Sequence, residues 1–209
     1  MQWDTWFTFF LAAWAISLSP GAGAVASMSA GLNHGFRHGY VLCIGLVLGI
    51  WTQLAVVSVG LGALIAASAT AFAVVKWAGV AYLVWLGVSQ WRAAAAPLAA
   101  TEGSDSNTSA WQLVLRGWGV NAVNPKGSVF LLAVVPQFIA LDQPLLPQYL
   151  VIGATLAFTD LVVMAGYTAL AARVLSALRS AHHVRLLNRT FGALFMMAGA
   201  LLAVFKRQA

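Results

Sequence analysis

The chain has 209 residues, 61% of them hydrophobic and only 8% charged, with a mean hydropathy of +0.86. A soluble domain carries about 25% charged residues, so a water-soluble globule is excluded and an all-α, polytopic membrane protein is implied. The formal charge of +6 does not point to nucleic acid, because the basic residues sit at the ends of apolar runs rather than in a patch interleaved with aromatics.

At the N-terminus, Phe7 to Ile16 is apolar and Ala24-Val25-Ala26 resembles a signal-peptide cleavage site. The segment before it carries Asp4 and no Lys or Arg, where a signal peptide wants positive charge, so a retained first helix is predicted. Apolar runs long enough to cross a bilayer cover about 5–27, 40–66, 72–92, 112–139, 148–172 and 190–206. All six must be helical wherever they meet lipid, which offers the backbone no hydrogen-bond partners. Trp3, Trp6, Trp77, Trp91 and Trp111 fall near the proposed ends, where amphipathic rings prefer to sit.

Between the third and fourth runs, residues 93–110 are rich in Ala, Ser and Thr and contain Pro97, Glu102, Gly103 and Asp105, a composition that predicts a flexible linker. The sequence therefore reads as one membrane transporter domain over 1–209, with a first half of about 1–92 and a second of about 111–209. Arg37, Arg92, Arg116, Arg173, Arg179, Arg185 and Arg189 lie in or beside the loops after runs one, three and five, against Lys76, Lys206 and Arg207 opposite. This bias places the linker and the 173–189 loop in the cytoplasm and both termini outside. His182 and His183 in that loop read as surface residues rather than a metal site.

Three spans per half is an odd number, so any repeat between the halves must be inverted in the membrane. Ser19-Pro20-Gly21 in the first run has a counterpart in Asn124-Pro125-Lys126-Gly127 in the fourth, and Lys76-x-x-Gly79 has one in Arg189-x-x-Gly192. Interruptions at corresponding places in two halves point to a central binding site. Proline removes a backbone hydrogen bond and clashes with the preceding turn. Pro20, with Ser19 and Gly21, and Pro125, with Asn121, Asn124 and Lys126, should therefore free N–H and carbonyl groups at membrane depth. The bland alternative is a pair of kinks that only shape the bundle. Facing each other, two such breaks suit a small zwitterion, with helix N-termini for a carboxylate and carbonyls plus an acid for an ammonium.

That acid is Asp160, a lone carboxylate near the middle of the fifth run. A charge at the bilayer centre is costly unless paired, protonated or facing a polar cavity, so it is a functional-site candidate. Caught between desolvation, which disfavours its charge, and a nearby ammonium, which restores it, such a group can exchange a proton. Lys126 lies ten residues beyond Arg116, about 15 Å along a helix and too deep for easy snorkelling. It either binds a substrate carboxylate or pairs with Asp160, functionally or as a structural ion pair. Thr52 and Gln53 hold a similar place in the second run.

Gly31, Gly35 and Gly39, then Gly45 and Gly49, recur at the four-residue spacing that lets helices approach closely. Gly79, Gly87, Gly192 and Gly199 read as packing too. Asn33, His34, Arg37 and His38 are expected at a cytoplasmic mouth, where Arg37 could attract an anionic group. The single cysteine, Cys43, permits no internal disulfide and reads as packing. No Walker loop is present, and no hydrolytic set or metal-ligand cluster is arranged within the spans. The chain is read as a non-enzyme without cofactor or metal, driven by an ion gradient.

Leu18-Ser-Pro-Gly21, the glycine series from Gly31 to Gly49, and Asn124-Pro-Lys…Pro136-Gln-Phe138 resemble the lysine exporter superfamily (LysE/RhtB type), in its homoserine/threonine efflux branch. Weaker matches are Lys76-x-x-Gly79…Gly87, Asp160 before Tyr167, and Arg189-x-x-Gly192. The resemblance spans nearly the whole chain. It implies a multi-pass protein of the bacterial inner membrane that exports amino acids or close derivatives by proton antiport. One departure is that the family's Pro-Gly-Pro is here Pro20-Gly21-Ala22, which loosens any borrowed substrate assignment. Other readings are a carrier of metal cations or organic amines, and a non-transport membrane assembly subunit. The sequence leaves the oligomeric state open, a homo-oligomer included.

Overall fold

In a computed structural model the described residues are 3–67, 69–92, 108–140, 142–171 and 181–204, and the regular elements among them are all helical. Helix α1 runs Trp3–Leu18 and α2 Ala22–Gly39, meeting at a 56° bend. Pro20 makes that break, since it lacks an N–H and pushes the residue before it out of the helical region. Long helices α3 (Val41–Ala67) and α4 (Ala69–Arg92) follow.

The stretch from residue 108 opens with α5 (Ala110–Ala122), started by a capping box in which Ser109 Oγ accepts from the Gln112 N–H and Gln112 Oε1 accepts from the Ser109 N–H. Its chain breaks at Val123 and Asn124 and restarts as α6 (Pro125–Val134), with Pro125 at the first helical position, where its missing N–H costs nothing. A 3₁₀ turn over Val135–Phe138 leads on to α7 (Leu145–Ala169). Gln148, buried in the first turn of α7, holds that connection by exchanging hydrogen bonds with both backbone groups of Ala140, each 2.8 Å long. Helix α8 spans Ala181–Val204.

The exterior is apolar, and a set of polar side chains is buried among an otherwise apolar core. Trp3, Val56, Val59, Trp111, Leu146 and Leu150 are exposed, while Ser27, Gln53, Asn121, Gln148, Thr159 and Asp160 are buried. An exterior of this kind fits lipid, where apolar surface carries no cost and polar side chains must find partners inside. By length and composition, two helical stretches are apolar enough to cross a membrane, Val41–Gly60 within α3 and Leu145–Ala169, or three if the bent α1–α2 pair counts as one span; only the described residues enter that count.

Small residues set the helix contacts. Helix α3 lies against α5 with Gly45 on the Val114 carbonyl and Gly49 within 2.7 Å, at the place of a missing Cβ, of the Asn121 Cβ. Gly87 of α4 and Gly192 of α8 face each other in the same way, the place of each missing Cβ lying 2.7 Å from the other's carbonyl oxygen. Gly79 rests on Ala133 of α6, and Gly31 rests on the Thr168 carbonyl of α7. Around these contacts, α1 and α2 pack on α7, α3 packs on α5 and α7, and α4 packs on α6 and α8.

Several sequence-based expectations change. Gly35 is not a packing glycine: it has φ 70° and ψ 172°, meets nothing within 4 Å, and reverses the chain so that Gly39 falls back on Ala30. Only glycine adopts that conformation without strain. The basic loop expected over 173–189 is helical from Ala181 onward, which puts Arg185 and Arg189 in the opening turns of α8. Arg189 lies over the Trp91 ring at 5.9 Å and His38 bonds the Thr108 carbonyl at 2.8 Å. The body of the linker (93–107), Arg173 and Arg179, and Lys206 and Arg207 fall outside the described residues.

Candidate functional site

The two chain breaks, 105 residues apart in sequence at Ser19 and Asn124, border one cavity of ≈ 70 Å³ in the middle of the bundle. Groups of water size need about 10–15 Å³ each, so on the order of five fit, the scale of a small metabolite. Six of the eight residues singled out from sequence line it: Ser19, Gly21, Asn121, Asn124, Lys126 and Asp160. Pro20 and Pro125 do not; they make the breaks and leave the lining to their neighbours. Ile50, Phe130, Leu131, Leu156 and Met164 supply an apolar wall.

Each break leaves helix-end carbonyls without intrahelical partners. At the second break, Gln53 Nε2 donates to the carbonyls of Asn124 (2.9 Å) and Ala122 (3.5 Å) and to Ser128 Oγ (2.8 Å). Asn124 Oδ1 caps α6 by accepting from the Lys126 N–H at 3.1 Å, and Asn124 Nδ2 donates to Asn121 Oδ1 at 3.2 Å. Asn121 Nδ2 in turn donates to the Leu46 carbonyl at 3.0 Å. This break is closed by neutral amides, each with its partner.

At the first break, Lys126 Nζ donates to the Ser19 carbonyl at 2.8 Å and reaches that of Ile16 at 3.5 Å. Tyr167 donates its hydroxyl to the Leu18 carbonyl at 2.8 Å. An ammonium is favoured there because carbonyls concentrate negative potential at a helix C-terminus. The N-terminus of α2 has Gly21 at its cap position and no side-chain cap; Gly21, Gly23 and Ala24 line the cavity, with the Lys126 ammonium 3.6 Å from where a Gly21 Cβ would stand. The Phe195 ring lies 5.7 Å from Lys126 Nζ on another side, a distance at which a cation is attracted to the ring face.

Asp160, on α7, is 6% exposed, and its Oδ2 has no hydrogen-bond partner; Ser19 Oγ is likewise buried and unpartnered. Buried polar atoms of this kind cost about 1–3 kcal/mol each when unsatisfied and call for an explanation. Both belong to residues lining the one cavity. The Asp160–Lys126 ion pair expected as one option is not formed: among the described residues, Lys126 spends its ammonium on the α1 carbonyls and the two groups stand on opposite claims to the same space. Ser17 and Thr159 meet at 3.3 Å on the α1–α7 contact beside Asp160.

Sequence reasoning named Tyr167 only as a weak family match after Asp160, passed over Phe195, and gave Gln53 only a place beside Thr52. The signal for Tyr167 was present: it stands seven residues, two helical turns, beyond Asp160 and so shares its face. Thr52 points elsewhere, bonding the Leu48 carbonyl and the Trp118 indole. Phe195 left no sequence signal, because only the fold brings α8 under Lys126.

A lipid-facing helical bundle with a small cavity, part polar and part apolar, between two broken helices is the arrangement of a membrane translocator. The comparisons agree with that class. Residues 14–205 match the family model described as LysE type translocator, and the chain belongs to that family. It is therefore a transporter and not an enzyme. It is 44% identical over 207 residues to the homoserine/homoserine lactone efflux protein of Salmonella typhimurium (strain LT2), covering 97% of this chain and 98% of that one. It is 44% identical over 206 residues to an uncharacterized membrane protein of Vibrio cholerae serotype O1, covering 99% and 100%. A leucine efflux protein of Enterobacter sp. (strain 638) is 28% identical over 134 residues, 64% of this chain and 63% of that one. No solved structure matches the chain.

Proposed function

We propose that this chain is a secondary active exporter of small amino acids or their close derivatives, in the bacterial inner membrane, exchanging substrate for protons at Asp160. The observation that carries the reading is the pair of buried unpartnered atoms, Asp160 Oδ2 and Ser19 Oγ, on a cavity that also holds the uncapped start of α2 and Lys126. A carboxylate with nothing bound to it suits an ammonium or a proton. A helix start without a side-chain cap, beside an ammonium, suits the substrate's carboxylate or carbonyl oxygen. The apolar wall suits an uncharged side chain. Relatives named for homoserine, homoserine lactone and leucine efflux support the class of solute.

The architecture in this reading is six membrane spans in two inverted halves, about 1–92 and 111–209, joined by the 93–110 linker. Matched packing supports it: α1 and α2 on α7 mirrors α3 on α5, and α4 meets α8 across the axis of the repeat, glycine to glycine. The described arginines lie toward the ends that the linker and the α7–α8 connection join, which supports a cytoplasmic location for those segments and external termini.

Cells loaded by dipeptide feeding, with and without the protein, test the function. The expected result is selective release of homoserine, leucine or a related amino acid, abolished by an uncoupler and by Asp160→Asn. Normal membrane insertion with no amino acid released faster than in control cells would overturn the reading, as would an Asp160→Asn protein that exports with unchanged dependence on the pH gradient.

A further inference from the structure

Lys126 has two claimants within the cavity. Its ammonium has three N–H donors, and it holds the Ser19 and Ile16 carbonyls at the end of α1. Asp160 lines the same cavity with a bare carboxylate oxygen. A carboxylate accepts from an ammonium more strongly than a neutral carbonyl does, because both partners are charged. When Asp160 carries a proton or holds a substrate ammonium, that competition disappears. When it is ionised and empty, the competition is at its height.

We propose that Lys126 is a transferable latch: its ammonium holds the carbonyl end of α1 while Asp160 is neutralised, by a proton or by a substrate ammonium, and moves to Asp160 when that carboxylate is ionised and empty. The inference rests on the exporter reading for the second of those two loads, but not for the first. Its consequence is exchange. Both loads leave the first break latched in one geometry, so the cavity passes between the two sides with either aboard, whereas the empty ionised cavity unlatches α1 and does not. The proton that leaves Asp160 goes to the water of the compartment the cavity then faces.

The second break explains why only one half of the molecule switches. Gln53 stands in α3 as Asp160 stands in α7, and its amide donates to the Asn124 and Ala122 carbonyls without any charge to lose. Among the described residues, no ionisable side chain from α1, α2 or α3 lines the cavity; Lys126 from α6 and Asp160 from α7 do. Tyr40, the residue between α2 and α3, and Cys43, in the first turn of α3, are within electrostatic reach of Asp160, and Tyr167 lies two turns along its own helix.

Hydrogen exchange of the full-length protein in lipid nanodiscs, read at the segment around Ser19 to Gly23 and corrected for the intrinsic effect of pH on exchange, tests the latch. The wild type should exchange slowly at acid pH and about tenfold faster at alkaline pH, the scale of losing one charge-assisted hydrogen bond. Lys126→Gln and Asp160→Asn should both lose that pH dependence, and Lys126→Arg should keep it. Where Lys126→Gln does not fold, Asp160→Asn decides. A wild type without pH dependence at this segment overturns the latch, and so does either neutral variant that titrates like the wild type. Homoserine or leucine added at alkaline pH should restore slow exchange. PH dependence that neither amino acid alters supports the latch and removes the amino-acid reading.

Discussion

The two broken helices differ in what fills the gap. Around Asn124 and Pro125, four neutral side chains, Gln53, Asn121, Asn124 and Ser128, satisfy one another and the loose backbone. Around Ser19 and Pro20, the loose carbonyls depend on an ammonium and a phenol from other helices, and Ser19 Oγ has no partner. The same backbone defect is thus a fixed joint in one half and a conditional one in the other. What separates them is charge: an amide donates whatever its neighbours do, while an ammonium answers to every carboxylate within reach.

Exchanging the character of the two joints should have the largest effects. Asp160→Asn leaves the first break permanently like the second, and gradient-driven export should fall by about a hundredfold, the cost of removing one partner of a buried charge contact. Transport assayed in proteoliposomes with an imposed pH gradient measures this; a loss smaller than tenfold would sever Asp160 from coupling. Gln53→Leu attacks the other joint. It strips the Asn124 carbonyl and Ser128 of a donor, so it should lower stability by about 1–3 kcal/mol and reduce export mainly through the amount of folded protein. Thermal melting in detergent, compared with uptake per folded molecule, separates the two effects.

Smaller changes refine the comparison. Gly49→Val puts side-chain atoms where Asn121 Cβ and the Ala122 N–H already stand within 2.7–2.8 Å of the missing Cβ, and overpacking of this sort costs about 1–3 kcal/mol. It should destabilise the fixed joint without altering the pH dependence of transport. Tyr167→Phe removes only the bond to the Leu18 carbonyl, worth about 1 kcal/mol, and should loosen the conditional joint enough to lower export severalfold with little loss of melting temperature. Gly119→Ala meets nothing within 4 Å. It should leave export unchanged and raise helix stability by up to about 1 kcal/mol.

Much of this was legible in residue order. Proline and hydropathy act over a few residues, so Pro20, Pro125 and the long apolar runs announced broken and unbroken helices before any packing was considered. The lone Asp160 in one such run, and Lys126 beside the second proline, marked the residues that would need a cavity. Gly35 was misread for the opposite reason. A glycine spaced four residues from two others matches both a packing ridge and a turn, and its φ of 70° decides between them. The start of α8 was missed because Arg185 and Arg189 carry charge where the apolar pattern needs none, although charged residues are good helix formers outside lipid.

The sequence by itself determined a helical membrane chain of the LysE type, the places where its helices break, and the two charged groups that cannot lie at rest in lipid. The tertiary structure alone decided which donor serves which break. Lys126 reaches carbonyls 107 and 110 residues back, Tyr167 reaches one 149 residues back, and Gln53 reaches 71 residues forward. Partners at such separations are chosen by how whole helices pack, and an ammonium takes whichever acceptor that packing offers it.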